Sequence, residues 1–115
     1  MNPVAQIRSV RDGDIQYEAI VFVCPGCKQM WETGNSGLHM LPVNSSVKTP
    51  QWSWDGNLEA PTLSPSVLTR YGDRVCHSFI KNGVVEFLSD CSHALAGQSV
   101  PLPPLEDWMV KEAGE

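Results

Sequence analysis

The sequence has few positive charges, few aromatic residues and no long apolar run. Its longest apolar run, Ala19–Val23 followed by Cys24, is far shorter than the roughly 20 residues that cross a bilayer, so we expect no membrane segment. Only 8 Lys and Arg oppose 13 Asp and Glu, for a formal charge of −5. Binding to bare nucleic acid depends on a basic surface, so nucleic acid is an improbable partner. Glycine and proline, nine of each, follow no period, which excludes collagen-like and coiled-coil classes.

The remaining composition is that of a small globular protein. The chain has 115 residues, of which 42% are hydrophobic and 18% charged, and this length predicts a single domain over residues 1–115. Residues 1–8 lack the basic start and the apolar stretch of a secretory signal, so we expect a cytoplasmic protein. Thiols stay reduced in the cytoplasm.

Turn signals between β-rich segments predict a mainly β, antiparallel domain. Asp-Gly and Asn-Gly are strong signals for two-residue hairpin turns. They separate two pairs of predicted strands, Val4–Val10 with Ile15–Val23, and Val75–Lys81 with Val84–Asp90.

Three other segments complete the predicted fold. Gln51–Trp54 alternates like a strand, and residues 33–50 resemble a loop that is interrupted by the apolar patch Leu38–Leu41. Near the end of the chain, Pro104–Glu112 predicts one short C-terminal helix, because prolines precede it and acidic residues fall in its first turn.

Two of the four cysteines lie in Cys24-Pro25-Gly26-Cys27, directly after an apolar strand. This spacing lets a tight turn present two thiolates to one tetrahedral ion. Thioredoxin-like redox chemistry uses the same spacing but needs a helix that starts at the first cysteine, whereas Pro25 and Gly26 favour a knuckle-like turn. Four buried free thiols are the remaining alternative. We favour a zinc site that staples the small domain.

The other ligands follow from the register of the second hairpin. With Asn82 and Gly83 as the loop, the side-chain period of two places Cys76, Cys91 and His93 on one face and His77 on the other. The predicted ligands are therefore Cys24, Cys27 and Cys76 with either Cys91 or His93 as the fourth. A lone histidine in a loop, His39, is a weak candidate. A thiolate-rich set of four favours a structural ion over a catalytic one.

An open site with three protein ligands and a water would instead make a zinc-dependent, hydrolase-like enzyme. Asp90, Glu86, His77 or His93 would then lie near the metal, the first three as candidate general bases. The sequence has neither the His-Glu-x-x-His pattern of zinc peptidases nor the signature of zinc deaminases.

A second constellation surrounds two tryptophans. Trp52 and Trp54 share one strand face, and Asp55 and Asn57 follow in a turn. Indole faces beside carboxylate and amide groups are typical of a ligand-binding surface. Packing of the two indoles in the core is the simpler interpretation, and both can hold in part. On the binding interpretation, the protein sequesters a nucleotide-type ligand.

The motifs in their order resemble a family of small phage and prophage proteins of unknown function. The resemblance covers roughly residues 20–103 and rests on Cys24–Cys27, Trp52–Asn57, Pro61–Ser66, Cys76–Ile80 and Asp90–Gln98. It implies a phage accessory protein in the cytoplasm of a bacterial host. The leading functional hypothesis is thus a zinc-stabilised binding module that acts on a host protein or a small ligand, in an oligomeric state that the sequence does not define.

Overall fold

The computed structural model describes residues 3–30, 37–43 and 51–113. Within these residues the protein is mainly β, with two antiparallel sheets and two short helices. The elements are β1 (Ala5–Asp12), β2 (Ile15–Val23), α1 (Pro25–Met30), β3 (Leu38–Val43), β4 (Ser53–Trp54), β5 (Leu63–Tyr71), β6 (Arg74–Lys81), β7 (Val84–Phe87), β8 (Ser99–Pro101) and α2 (Asp107–Ala113).

The first sheet has the order β1-β2-β3. Asp12 pairs with Ile15 across a two-residue turn, in which Gly13 has a φ of 63°, so the predicted opening hairpin is confirmed. The prediction of an irregular segment over residues 33–50 is wrong at Leu38–Val43, which forms β3 against β2. The apolar end of β2 accounts for this, because it is buried and needs a partner on its second edge. The rest of that segment, 33–36 and 44–50, lies outside the described residues.

The second sheet has the order β4-β5-β6-β7-β8. Its central hairpin turns at Asn82 and Gly83, whose φ values of 50° and 76° are those of a type I′ turn. Lys81 pairs with Val84 and Ser78 with Phe87, which confirms the predicted register. Strand β7 nevertheless ends at Phe87, so the predicted continuation to Asp90 is wrong.

One core joins the two sheets. Side chains at alternate positions of β6 and β7 are buried, and they meet buried side chains of the first sheet. The largest fully buried members of this shared core are Phe22, Ile20, Ile80, Val43 and Val85. A parallel bridge from Val43 to Trp52 also links the sheets. Strand β6 therefore has a buried face toward this core and a solvent face.

The helices differ from the prediction in number. Pro25, Gly26 and Cys27 open α1 rather than a knuckle-like turn, and Lys28 N–H donates to Cys24 O at 3.0 Å. Proline suits the first helical position, where its missing N–H costs nothing. The predicted C-terminal helix is confirmed as α2, whose Met109 packs with Val23 and Leu105. Neither helix among the described residues is long and apolar enough to cross a membrane.

Candidate active site and metal cluster

Four sulfurs and one imidazole gather at the inner face of β6, close to the start of α1. Their ligand atoms form two groups, each within 4.8 Å, that share one cysteine; the groups are Cys24, Cys27, Cys76 and Cys76, Cys91, His93. Cys24 Sγ lies 3.6 Å from Cys76 Sγ, and His93 Nε2 lies 3.4 Å from Cys76 Sγ. All four cysteines are buried and unoxidised. The cluster can therefore hold a metal ion, and a disulfide framework is not formed.

Without a metal, one cysteine of this cluster is deprotonated and its neighbours keep their protons. Hydrogen bonds from Cys27 and Cys76 hold the pKa of Cys24 well below its usual range. The same contacts with Cys24 raise the pKa values of Cys27 and Cys76. One thiolate therefore accepts from two thiols, and a bound cation would displace the remaining protons. Burial lowers the pKa of His93, which favours the neutral imidazole that a metal binds.

Two neighbours of the cluster have other contacts. His39 Nε2 lies 3.2 Å from Cys27 Sγ, and its ring stacks on Phe22, so this histidine is closer to the cluster than the sequence suggested. Cys91 Sγ lies 3.2 Å from both the backbone nitrogen and the backbone oxygen of His77. Cys91 thus contacts the backbone of β6 at His77 as well as the cluster.

The four residues predicted to bind a ligand make hydrogen bonds within their own loop or pack against the core. Asp55 Oδ1 accepts from the N–H groups of Asn57 and Thr62, and the Trp54 indole N–H donates to Asn57 O at 3.1 Å. Trp52 and Trp54 are half-buried against the core. These contacts favour the simpler interpretation, in which the tryptophans pack and the turn supports itself.

Three polar side chains lie in contact, one after the other, at the outer face of β6. His77 Nε2 lies 3.0 Å from Ser66 Oγ, and His77 Nδ1 lies 3.1 Å from Asp90 Oδ2. The imidazole is 24% exposed and the carboxylate 53% exposed. Both contacts have hydrogen-bond length, and both nitrogens of the ring are used.

Three segments of the fold bring these side chains together. Strand β6 presents His77, and the turn after β7 presents Asp90. Strand β5 presents Ser66 from an irregular stretch, since the pairing with β6 shifts register between Leu63 and Val67. The Trp52 indole N–H donates to Ser66 O at 3.3 Å, so this tryptophan holds the backbone of the serine.

This geometry defines a class of chemistry. A hydroxyl in contact with a histidine, whose second nitrogen meets a carboxylate, is the arrangement of a nucleophile, a general base and an orienting acid. Such a triad is recognised by geometry and roles rather than by sequence position. The outer face of β6 therefore has the constellation of a serine hydrolase.

Comparison with known families agrees with this class. A family model described as bacterial ubiquitination-like system serine protease (BubE) matches residues 3–88. The match covers more than half of the chain, and the chain belongs to this family. It includes Ser66 and His77, whereas Asp90 lies two residues beyond it. No curated protein and no solved structure matches the chain.

The family assignment corrects the functional hypotheses from the sequence. The leading prediction, a phage accessory binding module, is wrong, because the family is described as a serine protease. The alternatives of a zinc-dependent hydrolase and of a ligand-sequestering protein fall for the same reason. The expectation that the chain belongs to a known family is confirmed over residues 3–88, whereas the comparison confirms neither the motif pattern of the resemblance nor a phage origin.

Sequence reasoning missed the site although it had named all three residues. In the sequence, Ser66 stands out only as the last residue of the motif Pro61–Ser66, and His77 and Asp90 only as candidate bases beside an open metal site. One signal in the sequence indicates a separate role for His77. The hairpin register places its side chain on the other face of the strand from Cys76, away from the predicted metal site. The contact of His77 with Ser66 of β5 is not predictable in this way, because no local sequence pattern indicates the register shift before Val67.

Proposed function

We propose that the protein is a serine protease with Ser66 as nucleophile, His77 as general base and Asp90 as the acid that orients the imidazole. The continuous contact Ser66–His77–Asp90 is the observation that carries this proposal. Membership in a family described as a serine protease supports it independently.

The three side chains suffice for a two-step acyl transfer. His77 Nε2 takes the proton of Ser66 while Oγ attacks the scissile carbonyl carbon. The protonated imidazole, held by Asp90, then gives this proton to the leaving group as the bond to the carbonyl carbon breaks. A water molecule then attacks the carbonyl carbon of the resulting Ser66 ester and loses a proton to His77. As the ester bond breaks, the imidazolium of His77 returns this proton to Ser66 Oγ, and the acyl group leaves as the carboxylic acid.

The substrate class follows from the family description. The description places the protease in a bacterial ubiquitination-like system, so we expect the substrate to be a ubiquitin-like protein or its conjugate.

The test is covalent labelling with a fluorophosphonate, which reacts with activated serines. The wild-type chain should label at one site, and intact-mass and peptide analysis should place the adduct on Ser66. Ser66→Ala should abolish labelling. Ser64→Ala is the matched control, since Ser64 is an exposed serine on the same strand, and it should label normally. A wild-type chain that stays unlabelled, or one that labels elsewhere, would refute the assignment.

The metal cluster has a separate, structural role in this proposal. We infer that its ion is Zn²⁺, bound by Cys24, Cys27, Cys76 and His93. In a tetrahedral zinc site the ligand atoms lie about 3.5 to 3.8 Å apart. The separations of Cys76 Sγ from Cys24 Sγ and from His93 Nε2, 3.6 Å and 3.4 Å, agree with this, whereas His93 does not lie within 4.8 Å of both other sulfurs and would move closer to them when the ion binds. Three thiolates favour zinc over harder ions. Four protein ligands close the site, so the ion contributes to folding.

Native mass spectrometry with a thermal melt tests the zinc assignment. We expect one zinc per chain, and unfolding of the domain when a chelator removes it. A purified chain that holds no metal and still melts cooperatively would contradict the structural role.

A further inference from the structure

Strand β6 continues beyond the end of its neighbour. Strand β7 ends at Phe87, which pairs with Ser78, so the backbone of Val75, Cys76 and His77 extends past the last pair of that ladder. Backbone N–H and C=O groups of a half-buried strand need partners. The segment after β7 supplies them, although it is not a strand.

Backbone groups and side chains of residues 88–92 take over the pairing at this point. Leu88 N–H donates to His77 O at 2.9 Å. Cys91 Sγ accepts from His77 N–H and donates to His77 O, each over 3.2 Å. One residue further, Ser92 N–H donates to Val75 O at 2.8 Å, and Ser92 Oγ accepts from Val75 N–H at 2.8 Å.

These contacts determine where the catalytic acid lies. Cys91 N–H donates to Leu88 O at 3.2 Å, which closes a turn with Asp90 inside it. The residues at both ends of this turn, Leu88 and Cys91, are bonded to the backbone of His77. The exposed carboxylate of Asp90 is thus held near the imidazole by its neighbours in sequence rather than by burial.

The contacts of Cys91 also bear on its relation to the metal. Its sulfur lies within 4.8 Å of the ligand atoms of Cys76 and His93. It does not lie in one such group with the sulfurs of Cys24 and Cys27, and its two short contacts are both with the backbone of His77. With His93 as the fourth ligand, Cys91 is left for the other role.

We propose that Cys91 is a positioning residue of the protease site: its thiol joins the turn that carries Asp90 to the backbone of His77, without binding the metal. This inference rests on the proposed function. It separates two cysteine roles within one cluster, since Cys76 binds the ion on the inner face of β6 and Cys91 orders the acid and base on the outer face.

The experiment compares Cys91→Ala and Cys91→Ser with the wild-type chain in the rate of fluorophosphonate labelling and in metal content. Loss of two hydrogen bonds of about 1 kcal/mol each predicts labelling roughly 10- to 30-fold slower for Cys91→Ala. A serine hydroxyl can make both contacts, so Cys91→Ser should recover part of the rate. Both variants should keep one zinc per chain. With a protein substrate, kcat should fall while KM stays near its wild-type value.

A spectroscopic readout separates positioning from general stability. The proton on His77 Nδ1 should give a downfield nuclear magnetic resonance signal while the imidazole contacts Asp90. Cys91→Ala should shift or broaden this signal at a temperature where the variant remains folded. Ser92→Ala is the matched variant, because it removes the neighbouring contact to Val75 and should change the signal less.

Labelling rate and metal content together decide whether the inference stands. Slower labelling with full metal content, rescued by serine, supports the inference. Loss of zinc in either variant would make Cys91 a metal ligand and overturn it, as would a Cys91→Ala chain that labels at the wild-type rate. If Cys91→Ala does not fold, Cys91→Ser decides alone: near-normal labelling with zinc retained supports positioning, and zinc loss overturns it. A wild-type chain that never labels refutes the proposed function itself, and positioning with it.

Discussion

The two faces of β6 differ in chemistry although they alternate residue by residue. Cys76 is buried and faces sulfur and imidazole ligands, whereas His77 is partly exposed and faces a hydroxyl and a carboxylate. The buried face suits a soft ion that stabilises the fold. The solvent face suits proton transfer, since a substrate can reach it. A single strand can thus serve stability and catalysis with neighbouring residues, because its side chains point in opposite directions.

Substitution of Cys76 should have the largest effect. Cys76→Ser removes a central sulfur of the cluster, and the free energy that a structural zinc contributes to folding is of order 10 kcal/mol. We expect zinc loss and a largely unfolded chain, measured by native mass spectrometry and circular dichroism. A Cys76→Ser chain that keeps its zinc and its melting temperature would contradict the role of the buried face in binding a structural ion.

Substitution of the adjacent residue should give the opposite pattern. His77→Ala removes the general base, and the rate of serine labelling should fall by roughly 10⁴-fold or more. Zinc content should remain at one per chain, because His77 points away from the cluster. The paired measurement of adduct formation and metal mass checks both statements; zinc loss in His77→Ala would contradict the separation of the faces.

Substitution of the acid should have a smaller effect on the same face. Asp90→Asn keeps the shape of the side chain but loses its charge, so the imidazolium that forms during reaction is less stabilised. We expect labelling about 10³-fold slower, less than for the base because the carboxylate is 53% exposed and partly screened by water. Stopped-time labelling followed by mass spectrometry measures this rate. Equal rates for Asp90→Asn and wild type would exclude Asp90 from the triad.

Substitution of Trp52 should have the smallest effect. Trp52→Phe keeps an aromatic ring in the core but removes the N–H that holds Ser66 O. The loss of one such bond is worth about 1 kcal/mol, so labelling should slow by several-fold without loss of zinc. Trp54→Phe is the matched control, because its indole N–H bonds Asn57 O instead, and it should label at the wild-type rate.

The sequence predicted what depends on short-range order. The Asn82–Gly83 turn and the period of two placed Cys76, Ser78 and Ile80 on the buried face, and the structure confirms this. The CxxC motif correctly predicted a cysteine cluster that can hold a metal, although the local structure is a helix. The ligand set, with either Cys91 or His93 as its fourth member, stays a prediction, because both lie in one group with Cys76.

The catalytic arrangement depends on long-range order, which the sequence pattern does not contain. Ser66 meets His77 only because the pairing of β5 and β6 shifts before Val67. Asp90 meets His77 only because the chain leaves the ladder after Phe87 and is held there by the Cys91 thiol. Neither event has a turn signal or a period of its own, so composition and spacing alone assigned these residues to other roles.

The close packing at Gly26 constrains how this sequence can vary. A side chain at this position would collide with the imidazole of His93 and with the ring of Phe87. A single added methyl group within α1 would therefore displace the ring of a residue 67 positions away in the chain, the histidine that we propose as the fourth metal ligand. A side chain at position 26 needs the rings at positions 87 and 93 to move aside, so homologous chains should show position 26 covarying with these two.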